Sequence, residues 1–313
     1  MRKIDIDILN IKIAFEKIIY ILLPERIFRS LRYFVCYRHW FKFNDPKLYS
    51  EKIWWLKYYN KKCNKELLQK CYDKHNVRDF YKQVLGPLAE KYLTQEYAVF
   101  NNANEIDIEK LPDRFILKVT QANGFNIICK DKKKLDMDKA RTTLNKWLDQ
   151  SKRSGRFLDE GYLFDGKPLI QCEELLEDED GKIPNDYRVL CFNGDPQYIC
   201  VDIDSIDQNG EKSDFYFRNF YDTDWNFIPL SYGRPFKEDV IIEKPQNLLE
   251  MLNVAKKVSK DFIFVRVDLY NFNGRIVCGE LTWTPQGGTG KLEPISYDRI
   301  LGQKLTIPSN MRI

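Results

Sequence analysis

Residues 266–288 carry the side chains best suited to chemistry. They read Arg266-Val-Asp268-Leu-Tyr270, a turn at Asn273-Gly274, then Gly279-Glu280-Leu-Thr282-Trp-Thr-Pro285-Gln-Gly287-Gly288. Side chains alternate along a strand, so Arg266 and Asp268 share one side of the first strand and Glu280 and Thr282 one side of the second. A hairpin closing at Asn273-Gly274 sets Asp268 and Glu280 roughly opposite each other. Two carboxylates on one face repel unless a cation sits between them. Magnesium bridging nucleotide phosphates is the usual occupant of such a place. Arg266, two residues before the aspartate, is placed to stabilise charge on a transferring phosphoryl group. The plain alternative is a polar sheet face with a surface Arg–Asp pair.

Other chemistries find less support. The chain has two histidines, His39 and His75, so His-rich metal sites and Ser-His-Asp or Cys-His arrangements are disfavoured. Its eight cysteines show no C-x-x-C spacing, and several stand in apolar runs such as Ile127-Ile128-Cys129, as reduced buried thiols do. Any metal is therefore expected on carboxylates, which favours a hard ion.

The elements that must position these residues follow from pattern. Helices are expected from Ser50, a plausible N-cap, and again from about Lys65 to Val84, stopped by Gly86-Pro87. Beyond Pro112 strands begin. Arg114–Thr120 and Asn126–Lys130 form a hairpin around Asn123-Gly124, Lys139–Gln150 is an amphipathic helix, and Pro168–Glu173 is a further strand. Tyr187–Phe192 and Gln197–Val201 flank a turn at Asn193-Gly194-Asp195, and Pro245–Lys260 reads as a helix ahead of the carboxylate hairpin. No G-x-G-x-x-G or P-loop motif is present.

A length of 313 residues suggests two domains or one with lobes. A net charge of +4 is too mild to mark a nucleic-acid binder. No apolar run reaches the ~18 residues of a membrane span, and Asp5, Asp7, Glu16 and Lys17 interrupt any signal-peptide pattern, which points to the cytoplasm. Basic charge gathers in the first 60 residues. There Ile11 to Leu23 fit a helix ended by Pro24, and residues 25–41 mix Arg with Phe, Tyr and Trp. Such a stretch suits an anionic membrane surface, or packs on the body with its arginines in water.

The paired strands resemble the metal strands of the ATP-grasp ligases, whose pattern is R-x-D, a turn, then E-x-N-x-x-P-G; here Thr282 stands where Asn is usual. Further stretches are similar to the TupA-like ATP-grasp family, named for a protein of teichuronopeptide biosynthesis and common in bacterial surface-polysaccharide gene clusters. They are Asn44-Asp-Pro46, Ser50-Glu51-Lys52-Ile-Trp-Trp-Leu-Lys57, Asp73-Lys74 with Arg78, Leu111-Pro112 to Lys118, Asp186-Tyr-Arg188 to Gly194, and Gly279-Glu280-Leu-Thr282. The family's loop after the strand lysine is typically H-G-S-G-like, whereas this chain reads Gln121-Ala122-Asn123-Gly124.

The resemblance implies an α+β ATP-grasp fold with a helical N-terminal region over 1–112, a first subdomain over 113–174 and a second over 175–313. It implies ATP contacts at Lys74, Lys118, Asn123, Gly124 and Lys130, an adenine hinge at Glu173 (carbonyl) and Leu176 (amide), and Asp186 on the ribose. Arg266 and Arg188 become the catalytic residues, with Asp268, Glu280 and Thr282 on Mg2+. The implied activity is ADP-forming carboxylate–amine ligation through an acyl phosphate. Its partners would be a uronic-acid carboxylate of a surface polysaccharide or its precursor and an amino acid or small amine, with no nucleic acid and with contact to the inner membrane surface. The rival readings are a glycosyltransferase, or a nucleotide-binding protein of the same pathway without ligase activity.

Overall fold

The computed structural model describes residues 21–122, 124–154, 160–177, 185–203, 213, 215–272 and 274–308. Most of the expected Ile11–Leu23 helix, and also Asn123 and Asn273, lie outside them. In chain order the main elements are α1 (Glu25–Tyr37), α2 (Tyr49–Cys63), α3 (Lys65–Tyr72), α4 (Val77–Leu85), β1 (Glu96–Phe100), β2 (Phe115–Val119), β3 (Asn126–Cys129), α5 (Met137–Ser154) and β4 (Ile170–Glu173). They continue as β5 (Asp186–Phe192), β6 (Asp195–Ile203), β7 (Phe217–Tyr221), β8 (Phe227–Ile228), β9 (Ser231–Tyr232), α6 (Leu248–Ser259), β10 (Phe264–Phe272), β11 (Arg275–Thr282), β12 (Leu292–Glu293) and α7 (Ser296–Lys304).

Two antiparallel sheets organise the chain. The smaller has the order β1-β4-β2-β3, and the larger β11-β10-β5-β6-β7-β8. The smaller sheet recruits β1, a strand inside the region that the sequence assigns to helices. Its inner face, Phe115, Leu117, Val119, Ile170 and Cys172, packs on Leu144 and Leu148 of α5. Alternation then forces Lys118, Gln171 and Glu173 onto the opposite face.

The larger sheet buries Val189, Val201, Val265, Val267 and Leu269 against Met251, Val254 and Val258 of α6 and Phe80 and Tyr81 of α4. Its second face changes character along the strands. On β10 it runs Phe264, Arg266, Asp268, Tyr270; on β5 it runs Phe192, Leu190, Arg188, Asp186. The apolar end of that face is covered by Tyr49, Ile53, Trp54 and Leu56 of α2 and Leu301 of α7.

Two expectations about the helices are corrected. The segment from Lys65 to Val84 is not one helix. Asp73 Oδ1 accepts the amides of His75 and Asn76, both at 3.0 Å, which ends α3 and starts α4. Ser50 does not cap α2 either. Leu48 is the N-cap, and Glu51 Oε2 reaches back to the amides of Lys47 (2.8 Å) and Leu48 (3.0 Å).

Candidate active site

The break at Asp73 places the first lysine. The Lys74 amide donates to the Thr120 carbonyl at 3.0 Å, and its ammonium donates to the Ala122 carbonyl. Lys74 is thus tied by backbone and side chain to the loop leading to Gly124, which is exposed with φ 75°. Burial lowers the Lys74 pKa and nearby Lys118 lowers it further, against the pull of Glu280, Asp73 and Glu173. Charges from both sheets therefore act on this one ammonium.

On the smaller sheet Lys118 is ion-paired with Glu173 on the neighbouring strand. Glu173 also accepts the Thr94 hydroxyl at 2.7 Å, and Arg78 Nη2 donates to the Thr94 carbonyl at 2.8 Å. Beside them Glu96 Oε2 takes His75 Nδ1 at 2.9 Å and Gln171 Nε2 at 2.7 Å. Glu173 pairs in register with both Glu96 and Ile116, so the hinge begins inside the sheet, and Leu176 is half-buried beyond it. Arg275 clasps Glu174 at 2.6 and 2.9 Å, joining the hinge to β11. Lys130 lies at that hinge end, 3.0 Å from Glu177, while Lys118 stands opposite Asn126 nearer the loop.

Burial pushes the Glu173 carboxyl up, but Lys118, Thr94 and Arg78 outweigh it and hold it below the ordinary value of 4.5. Such a group adds stability above its unfolded value, and that stability is lost as pH falls through the lower native value. Glu280 and Glu174 act in the same direction. Melting temperatures taken from about pH 6 down to about pH 3 should fall, and Glu173→Gln should make the fall shallower. An identical slope in the variant would remove Glu173 from the account.

On the larger sheet the register of β10 and β11 shifts between Val267 and Leu269, so that Asp268 faces the bulge at Gly279-Glu280. Gly279 fits closely there: a Cβ would meet the Asp268 carbonyl at 3.1 Å and the Tyr270 ring at 3.3 Å, so a larger residue would push on both. The cation between the two carboxylates is the Arg266 guanidinium. Nε lies 2.6 Å from Asp268 Oδ1, and Nη2 2.5 Å from Asp268 Oδ2 and 3.1 Å from Glu280 Oε1. Thr282 stands opposite Arg266. Arg188 continues the row, 2.7 Å from Asp186, 2.6 Å from Asp202 and 3.7 Å from Asp268. Arg218 closes it on Asp202 at 2.5 and 2.9 Å.

Asp268 is 3% exposed, whereas the Glu280 side chain is 43% exposed. Burial raises the Asp268 carboxyl, opposed by Arg266 and Arg188. Burial also raises Glu280, but Arg266, Lys74 and Arg188 prevail and hold it below the usual carboxylate value. Charge thus links Lys74, Lys118 and Glu173 to Glu280, Arg266, Asp268 and Arg188, with Asp186 and Thr282 on the same larger-sheet face. Lys130 and Leu176 stand at the hinge end of the smaller sheet. The Asp202–Arg218 pair and Glu96 are additions to the sequence reading. The first has a sequence signal, an acid on one strand and a base at matching parity on the next.

A family model described as TupA-like ATPgrasp matches residues 51–306. The chain belongs to this family. A TupA-like chain with two antiparallel sheets and flanking helices has the α+β ATP-grasp fold. Among solved structures it is similar to D-alanine–D-alanine ligase from Bacillus anthracis complexed with ATP, at 14% identity and a TM-score of 0.38, covering 68% of this chain and 53% of that one. It is also similar to L-amino acid ligase from Bacillus licheniformis, at 12% identity and a TM-score of 0.43, covering 78% and 52%. D-cycloserine synthetase DcsG matches at 12% identity and a TM-score of 0.41, covering 77% and 72%. The TupA-like chain therefore spans about half the length of the first two ligases. No curated protein matches it.

Proposed function

We propose that this chain is an ATP-dependent, ADP-forming carboxylate–amine ligase. The observation that carries the reading is the convergence of a lysine-bearing face, from the smaller sheet, and a carboxylate–arginine face, from the larger, on Lys74 and Glu280. Lys74, Lys118 and the loop around Gly124 suit nucleotide phosphates. The hinge at Glu173–Leu176 is assigned to the adenine, with Lys130 at its edge, and Asp186 to the ribose.

Asp268, Glu280 and Thr282 offer only hard oxygen donors, and the Glu280 side chain is partly exposed, so the set suits Mg2+. Among the described residues no cluster of three metal-ligating side chains forms a cage, so an ion here would share its shell with phosphate oxygens and water. When bound, magnesium supplies neutralisation of phosphate charge. Arg266 and Arg188 stabilise the γ-phosphoryl group as its bond to ADP breaks and its bond to a substrate carboxylate oxygen forms. The amine then attacks the activated carbonyl, phosphate leaves with the bonding pair, and the amine loses its proton to water. The protein's share is positioning and charge.

The family supports a finer assignment: a uronic-acid carboxylate of a bacterial surface polysaccharide or its precursor, joined to an amino acid or small amine. A screen of sugar acids and amines with ATP tests it. ADP release that requires both partners is the expected result. Sugar transfer without ADP release would overturn the reading in favour of a glycosyltransferase.

The proposal extends to the inner membrane surface. Ile27, Leu31 and Val35 form an exposed stripe on α1, with Ile21, Leu22 and Trp40 also exposed and Arg38 and Lys42 beside them. No helix among the described residues is long and apolar enough to cross a membrane. At roughly 1 kcal/mol per basic residue near an anionic surface, binding would be reversible. The chain should sediment with anionic vesicles at low salt, and Leu31→Glu/Val35→Glu should abolish this. Equal sedimentation of both proteins would refute it.

A further inference from the structure

The stretch Ser50-Glu51-Lys52-Ile53-Trp54-Trp55-Leu56-Lys57 has no part in the phosphate and metal chemistry above. In the structure four of its polar side chains turn toward one segment, residues 284–305. Ser50 donates to Asp298 through its amide and its hydroxyl, each at 2.7 Å. Lys52 Nζ donates to the carbonyls of Gly302 and Leu305 at the end of α7, each at 2.6 Å. Trp54 Nε1 donates to the Gly288 carbonyl at 2.6 Å and Lys57 Nζ to the Gly287 carbonyl at 2.7 Å. From α1, Tyr37 adds its hydroxyl to the carbonyls of Gly288 (2.9 Å) and Gly290 (3.0 Å).

The last three side chains converge on the loop that continues β11. That loop begins two residues after Thr282, and Gln286, Gly287 and Gly288 have φ of 55°, 61° and 74°. A run of left-handed residues is unfavourable unless its surroundings fix it. Here the surroundings are buried donors: Trp54 has no exposure and the Lys57 side chain is 1% exposed. The approach is close, since a Cβ on Gly288 would meet Trp54 Nε1 at 3.3 Å.

Lys57 also acts on the loop's other end. A buried ammonium needs opposite charge, and Glu160 Oε2 lies 3.6 Å from Nζ. Glu160 in turn accepts the hydroxyl of Thr284. Lys57 therefore grips the loop at Gly287 directly and at Thr284 through Glu160. Thr284 is two residues beyond Thr282, the last residue of β11, so the grip sits just past the end of the carboxylate strand.

We infer that Trp54 and Lys57 are positioning residues. They hold the loop in a backbone course that keeps Thr282 opposite Arg266 and Glu280 at the bulge facing Asp268, and so make the N-terminal helices part of the catalytic apparatus. The inference rests on the ligase reading only for its activity assay.

The test uses the full chain. Lys57→Met keeps the stem and removes the donor, and adding Glu160→Gln avoids a stranded carboxylate. The double variant should bind ATP without magnesium as the wild type does, but gain less when magnesium is added. Its turnover should fall on the order of 100-fold, as for a misplacement of about 1 Å. Amide hydrogen exchange over residues 284–290 should quicken. Lys52→Met, which releases α7 instead, should lower the melting temperature and leave turnover per folded molecule near normal. Unchanged exchange in the folded double variant, or turnover within about twofold of wild type, overturns the inference. So does an equal loss of turnover in Lys52→Met, which would make the whole stretch structural. A wild type that never releases ADP would sink the ligase reading alone, because the exchange measurement still decides the inference.

Discussion

Glu280→Gln is expected to lower ADP release by at least roughly 10²–10³-fold while the protein stays folded. The amide keeps the shape of the side chain and can still accept from Arg266 Nη2, now 3.1 Å from Glu280 Oε1. Asp268 keeps both of its bonds to Arg266, so the buried ion pair survives. What disappears is the charge on the more exposed carboxylate of the pair. If the cluster were only structural, melting temperature would drop and turnover per folded molecule would stay. Measuring both on one preparation separates the two, and near-normal turnover would end the metal-site reading. Arg266→Ala is a poorer probe, because stranding the buried Asp268 carboxylate costs about 3–5 kcal/mol of stability by itself. Arg266→Lys keeps a charge and should lower turnover more than ATP affinity.

The second large effect is expected at Lys118. Its side chain is 19% exposed and that of its partner Glu173 is 8% exposed. Lys118→Ala strands Glu173, so stability should fall by about 3–5 kcal/mol, as for a broken buried pair. If Lys118 also contacts phosphate, ATP affinity should fall by roughly 1–3 kcal/mol. Lys118→Met combined with Glu173→Gln distinguishes the two roles, since it removes both charges. Urea unfolding of the double variant should recover most of the lost stability, while calorimetric titration should show ATP affinity still reduced. Recovery of both would make Lys118 a structural partner of Glu173 and nothing more.

Part of the candidate site was legible in the sequence where strand alternation decides it. Parity within a strand puts Arg266 with Asp268 and Glu280 with Thr282 on β10 and β11, whereas Lys118 on β2 and Asp186 and Arg188 on β5 were marked by the family resemblance alone. What alternation cannot give is the partner across the sheet. The bulge at Gly279 is a slip of register with no periodic signal, and it brings both carboxylates onto Arg266. The Lys118–Glu173 pair depends on β2 lying beside β4 rather than only beside its hairpin partner β3. The split of the Lys65–Val84 segment was missed because helical periodicity continues on both sides of it. The signal was Asp73 itself, a side chain that caps as readily as it solvates. Strand β1 was missed because Glu96–Phe100 is half-buried at a sheet edge and its pattern is faint.

The α2 contacts also bear on how the molecule comes into being. Ser50 and Asp298 are 248 positions apart, and Trp54 and Gly288 are 234 apart. At typical rates of synthesis, Tyr49, Trp54 and Leu56 leave the ribosome roughly ten to fifty seconds before the segment that covers them. Contacts so distant in sequence also form late during refolding. Helix α2, which helps seal the apolar end of the larger sheet, must therefore wait, with its aromatic face unpaired, for nearly the whole chain. Chaperone dependence and aggregation of truncated products are the traits to expect of such an order of assembly.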